Sequence, residues 1–180
     1  MATCIAFFRG INVGGRNRLT MKELVLLFEK IGIRGSRTYI QSGNVAFRCT
    51  RQQRPEIARR IATAVQQEHG FEPKVQVITI QELEHAIAAN PFMDARKDPS
   101  NLHLWFLREV PQAPDLEALE RLKAPTERFE LDKKVFYLHA PDGIGQSKLA
   151  AAVEKCLGTD ATARNWQTVT KTLELGWDLA

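Results

Sequence analysis

The strongest constraint on this chain is an order of segments that occurs twice. Residues 3–9 are apolar on both faces of an extended chain and predict a buried strand. A loop at 10–18 leads into a helix opened by Thr20 and Glu23, the spacing of a capping box, and carried by Leu24, Leu27, Phe28 and Ile31. Two strands follow, 37–41 and 45–49, joined by the tight turn Ser42-Gly43-Asn44. Ile57, Ile61, Ala64 and Val65 mark a second helix that ends near Gly70, and 74–78 alternate as a fourth strand.

After a connecting helix at 80–89 and a proline-rich, charged stretch at 91–100, the order begins again. Strand 101–108, a helix through Leu116, Leu119 and Leu122, a hairpin of 127–131 with 134–139 about Asp132-Lys133, and a helix through Leu149, Val153, Cys156 and Leu157 match the first half. Matching segments are offset by roughly 92 to 98 residues, within ordinary boundary error. The second half is expected to close on a helix, 163–175, where the first closes on a strand.

The alternative, a doubly wound parallel sheet, is argued against by the two tight hairpins, because parallel neighbours need long crossovers. The fold class is therefore α+β, two tandem ferredoxin-like plaits, βαββαβ and then βαββα with a C-terminal helix. The expected ranges are 1–79 for the first half, 80–100 for the connection and 101–180 for the second half. In such a plait Cys4 and Cys49 lie near one another on neighbouring strands. With Phe8 opposite Val45, Cys4 stands opposite Cys49, and both are expected as reduced, buried thiols.

Composition excludes several classes. The longest apolar runs fall far short of the ~20 residues that span a bilayer, and the N-terminus has no basic region followed by an apolar one, so no secretory signal or membrane partner is expected. Three widely spaced cysteines form neither a zinc pattern nor a disulfide framework, which points to a reducing cytoplasm. The four histidines carry no metal-ligand spacing. Asp142-Gly143-Ile144-Gly145-Gln146-Ser147-Lys148 lacks the spacing of a phosphate loop and reads as a glycine turn with Ser147 capping the next helix. No nucleophile elbow and no clear acid–base pair stand out, so the chain leans away from being an enzyme, and no cofactor is implied. Val45-Ala46-Phe47-Arg48-Cys49 does not carry the aromatic motif of an RNA-recognition plait.

The topology does place one candidate site. The loop after the first strand and the turn between the second and third strands fall on the same edge of a plait. That edge gathers Arg9, Asn12, Gly14, Gly15, Arg16, Asn17 and Arg18 with Gln41, Ser42 and Asn44, beside a helix N-terminus that favours anions. In the expected last helix, Arg164, Thr168 and Lys171 share one face, with Asn165 nearby, while Trp166 is expected to pack in the core. Lys148 is a further basic candidate. The net charge of +4 and sequence pI near 9.1 agree with an anionic partner or with simple solubility. The expected function is binding of a phosphate-bearing partner, nucleic acid or nucleotide. The alternatives are an enzyme on a small anionic metabolite and a structural protein-interaction module.

Three stretches resemble a known bacterial family. Arg9-Gly10-Ile11-Asn12-Val13-Gly14-Gly15, Gln41-Ser42-Gly43-Asn44-Val45 and Ala163-Arg164-Asn165-Trp166-Gln167-Thr168-Val169-Thr170-Lys171 are similar to signatures of the family called domain of unknown function 1697, with Asn90-Pro91-Phe92 and Ser147-Lys148-Leu149 also in keeping. Gln146 departs from the resemblance, which leads one to expect an arginine before Ser147. The resemblance implies paired α/β plaits and no established activity.

Overall fold

A computed structural model describes residues 1–50 and 52–179. The chain divides into two compact units, Met1–His85 with Thr170–Ala180, and Ala86–Val169. Each is built on a four-stranded antiparallel sheet.

In the first unit β1 (Ala2–Arg9), α1 (Met21–Lys30), β2 (Arg37–Tyr39), β3 (Asn44–Cys49), α2 (Arg54–His69) and β4 (Lys74–Thr79) lead into α3 (Ile80–Ala88). The strand order is β2-β3-β1-β4, which makes β1 and β3 the central pair of a ferredoxin-like half. Alternation along β1 sends Cys4, Ala6 and Phe8 to one face, where Leu24, Leu27 and Phe28 of α1 and Ile57, Ile61 and Val65 of α2 cover them. Phe28 packs between Phe8 and Phe47, with ring centroids 6.3 and 5.1 Å away. The opposite face of β1 is apolar as well because it too is covered. Gly176, in helix α6 (Trp166–Trp177), lies against Ile5 and Ile80, where an added Cβ would come within 2.9 Å of the Ile80 Cδ1. Trp177 donates its indole N–H to Glu84 at 2.8 Å, and Arg48 donates to the Leu179 carbonyl at 2.8 Å.

The second unit repeats the plan with β5 (Leu102–Leu107), α4 (Leu116–Leu122), β6 (Arg128–Asp132), β7 (Val135–His139), α5 (Lys148–Leu157) and β8 (Ala161–Asn165), in the order β6-β7-β5-β8. Trp105, Leu107, Phe136 and Leu138 face Leu119, Leu149, Val153 and Leu157. On the other face the Tyr137 hydroxyl donates to the Ala86 carbonyl at 2.8 Å.

Three expectations are corrected. The last element of the second half is a strand before it is a helix. Ala161–Asn165 pairs along β5, with Phe106 opposite Thr162 and Leu104 opposite Arg164, and the helix starts only at Trp166. Thr162 is a buried strand residue, and Asn165 caps the helix by accepting from Thr168 N at 2.9 Å. The second half thus completes βαββαβ like the first. The β1–β3 register also differs by two residues: Ala2 opposes Cys49 and Cys4 opposes Phe47. Cys4 and Cys49 then sit diagonally on the same core-facing side. Their Cα atoms are 6.2 Å apart and a disulfide joins them, so they are not reduced thiols.

Candidate phosphate-binding edge

The end of β1 and the β2–β3 turn are neighbours, as plait topology requires. Phe8 N donates to Gly43 O at 2.9 Å, and the Asn12 side-chain amide donates to Gln41 O at 2.7 Å. Gly43 is obligatory here. Its φ is +73°, and an added Cβ would stand 2.6 Å from both Phe8 Cβ and Ile11 Cδ1.

The loop after β1 is a small, internally fastened hairpin. Asn12 N donates to Asn17 O at 3.0 Å, Arg16 N donates to Val13 O at 3.0 Å, and Val13 bridges Arg16. Gly14 and Gly15, both at positive φ (+57° and +75°), form its two-residue tip, the geometry of a type I′ turn. Nothing lies within 4 Å of the space a Cβ would take at either glycine, so the tip projects into the open. Asn12 and Asn17 also hold positive φ, and their side chains are used locally. Asn12 donates to Leu19 O at 2.7 Å and accepts from Leu19 N at 2.9 Å, while Asn17 donates to Gly10 O at 2.7 Å. Asn44 is fully buried and donates to Tyr39 O and Ser42 Oγ. These three asparagines therefore shape the edge. The side chains presented outward are those of Arg9, Arg16 and Arg18, with Gln41 and Ser42 beside them.

The N-terminus of α1 is occupied from within. Glu23 accepts from Thr20 N at 2.8 Å and from Thr20 Oγ1 at 2.7 Å, which holds its carboxyl below the usual glutamate range. The positive end of that helix thus meets Glu23, and attraction for an outside anion falls to the arginines.

Charge is distributed unevenly along the chain. Residues 9–22 contain Arg9, Arg16, Arg18 and Lys22 and no acidic residue. That segment carries a local charge of +4, and residues 30–55 form a second acid-free run with Lys30, Arg34, Arg37, Arg48, Arg51 and Arg54. Val13 and Lys22, both exposed, also belong to this edge; Lys22 lies outside the motifs, and the acid-free run is the signal that points to it.

The remaining candidates lie elsewhere. Lys171 belongs to the first unit and pairs with Glu174 at 2.7 Å, which raises its pKa. Lys148, Arg164, Asn165 and Thr168 belong to the second unit. Lys148 is exposed at the start of α5, where Ser147 accepts from Ala150 N at 2.9 Å as the expected cap. Arg164 is a strand residue, so it does not share a helix face with Thr168 and Lys171. It donates to Ala163 O at 2.8 Å, and burial pushes its pKa down to about 10. Thr168 is buried, and Trp166 packs with Arg96 5.2 Å over its ring.

One polar cluster had no sequence signal. Arg128 bonds both Asp94 oxygens (3.3 and 2.8 Å), contacts His139 Nδ1 at 3.1 Å and lies over the Phe92 ring. His139 Nε2 is 3.5 Å from Asp98, which Asn101 also bonds. The cluster fastens the segment before β5 to β6 and β7. Among the described residues no group of three or more His, Cys, Asp or Glu could hold a metal ion, and no helix is long and apolar enough to cross a membrane.

The family model described as "Protein of unknown function (DUF1697)" matches residues 1–137. Among solved structures, a conserved bacterial protein from Streptococcus pneumoniae superposes with a TM-score of 0.70 at 20% sequence identity, over 97% of this chain and 98% of that one. At that identity the likeness speaks for the fold. No curated protein matches the chain.

Proposed function

We propose that this chain, which belongs to the DUF1697 family of proteins of unknown function, binds a phosphate-bearing partner through the edge formed by the loop after β1 and the β2–β3 turn. One observation carries the proposal: Arg9, Arg16, Arg18 and Lys22, with no acidic residue among residues 9–22, lie on and beside a hairpin that Asn12 and Asn17 fasten in place. A fixed loop binds at lower entropic cost than a floppy one, and clustered arginines suit phosphate by charge and by their forked donors.

The test replaces Arg9, Arg16 and Arg18 together by alanine and measures binding of inorganic phosphate, a mononucleotide and an oligonucleotide by calorimetry. Circular dichroism and melting serve as fold controls. Loss of binding with the fold retained is expected. Parent-like affinity in a folded triple variant excludes this edge.

A further inference from the structure

We infer that the phosphate-bearing partner is duplex nucleic acid, with the 12–17 hairpin acting as a two-stranded finger in the major groove; this rests on the phosphate-binding reading above.

Three features favour a polymer over a small ligand. First, the hairpin is convex and projecting, with open space around both tip glycines. A small phosphate compound is normally held in a concave site by converging groups. Second, the loop amides of Asn12 and Arg16 are already bonded inside the hairpin, to Asn17 O and Val13 O. They do not form a cradle for one phosphate, so the long arginine side chains must reach phosphates that flank the finger. Third, Val13 is 65% exposed and directly opposes Arg16 across the hairpin, so both stand on one face of the ribbon. An apolar side chain beside a guanidinium suits a groove wall, where base edges are partly apolar and phosphates line the rim. The major groove, about 12 Å wide, admits a two-stranded ribbon. Arg9, Arg18 and Lys22 lie on either side of the finger in sequence and extend the positive charge along the backbone.

The probe is a fluorescein-labelled 20-base-pair DNA duplex, titrated by anisotropy at 50 and 200 mM NaCl, with inorganic phosphate and a mononucleotide as competitors. Three or four phosphate contacts, at a slope near −0.9 per contact, lower the affinity roughly 40- to 150-fold over that range. The double variant R16A/R18A removes two contacts, so its affinity falls only about 4- to 12-fold between the same salts. Gly15→Val, which cannot adopt the tip at φ +75°, binds more weakly than the parent, whereas Gly14→Asn, suited to a type I′ turn, binds like it. Unchanged melting of both variants assigns the difference to the finger and not to the fold. The inference is overturned if Gly15→Val binds the duplex as tightly as the parent. It is also overturned if a mononucleotide displaces the duplex at equal phosphate concentration; binding of small phosphates that R16A/R18A weakens then leaves the phosphate site standing without the duplex. If R16A/R18A alters no anion binding at all, both fall together.

Discussion

Breaking the Cys4–Cys49 disulfide should cost the first unit a large share of its stability. The bond closes a loop with a sequence separation of 45 between the two central strands. Chain-entropy bookkeeping for a loop of that length gives about 4 kcal/mol at 25 °C, toward the top of the usual 2–4 kcal/mol range. Little offsets it, because the reduced sulfurs would remain in a packed core as small apolar groups. If the chain melts in a single transition, 4 kcal/mol corresponds to roughly 8–16 °C in Tm. Both cysteines are essentially without solvent exposure, so reductant reaches the bond only when the unit opens. The assay compares calorimetric melts of protein kept oxidised with protein reduced in denaturant and refolded under TCEP. Thiol titration of the denatured, unreduced chain should find one reactive group, Cys156, and three after reduction. Three thiols without reduction would refute the pairing. A Tm difference under about 2 °C would refute the entropic account of its strength.

Two further perturbations test packing and protonation. Gly43→Ala forces a Cβ to within 2.6 Å of Phe8 Cβ and Ile11 Cδ1 at φ +73°; strain of ~1–2 kcal/mol and overpacking of ~1–3 kcal/mol should together lower the urea midpoint, and a cost below about 0.5 kcal/mol would refute the close approach. Burial pushes His103 down to about 4 from an ordinary 6.5, so the unfolded chain takes up a proton before the native one does. Its contribution to stability is therefore full above about pH 6.5 and is lost as pH falls toward 4, by up to about 3 kcal/mol. Urea midpoints at pH 7.5 and 4.5 should show that loss, and His103→Gln should flatten it; an equal slope in the variant would assign the pH dependence to other groups.

The fold was legible because its signals are local and periodic. The helical stripe Leu24, Leu27, Phe28 and Ile31, the capping box Thr20–Glu23 and the two hairpins each occupy a few consecutive residues, and all appear in place. The end of the second half was less so. Trp166, Val169 and Leu173 carry a 3.6-residue apolar rhythm that predicts a helix from 163, whereas the pairing to β5 makes 163–165 strand. The cysteines show how small the margin is. A two-residue difference in register leaves every β3 side chain on its own face, so the pattern cannot detect it. It nevertheless changes Cys4 and Cys49 from directly opposed to diagonal.

At the edge site, topology placed the segments correctly, but residue type alone could not separate shaping from contact. By residue type Asn12, Asn17 and Asn44 stand with the arginines among the candidate ligand groups. Their amides hold Leu19, Gln41, Gly10, Tyr39 and Ser42, and two of them adopt the positive φ that most residues avoid. Using the amides in this way frees the edge to be specific about charge. With the loop fixed by backbone-directed bonds and the α1 N-terminus met by Glu23, the outward-facing groups are guanidiniums with no carboxylate between residues 9 and 22. A loop whose polar groups were all needed for its own shape would have no reason to carry that imbalance. An edge evolved only for solubility would spread its excess charge over the surface, where it costs least in self-repulsion. Placing Arg9, Arg16, Arg18 and Lys22 on and beside one projecting, prearranged hairpin raises local repulsion, which a bound polyanion would relieve.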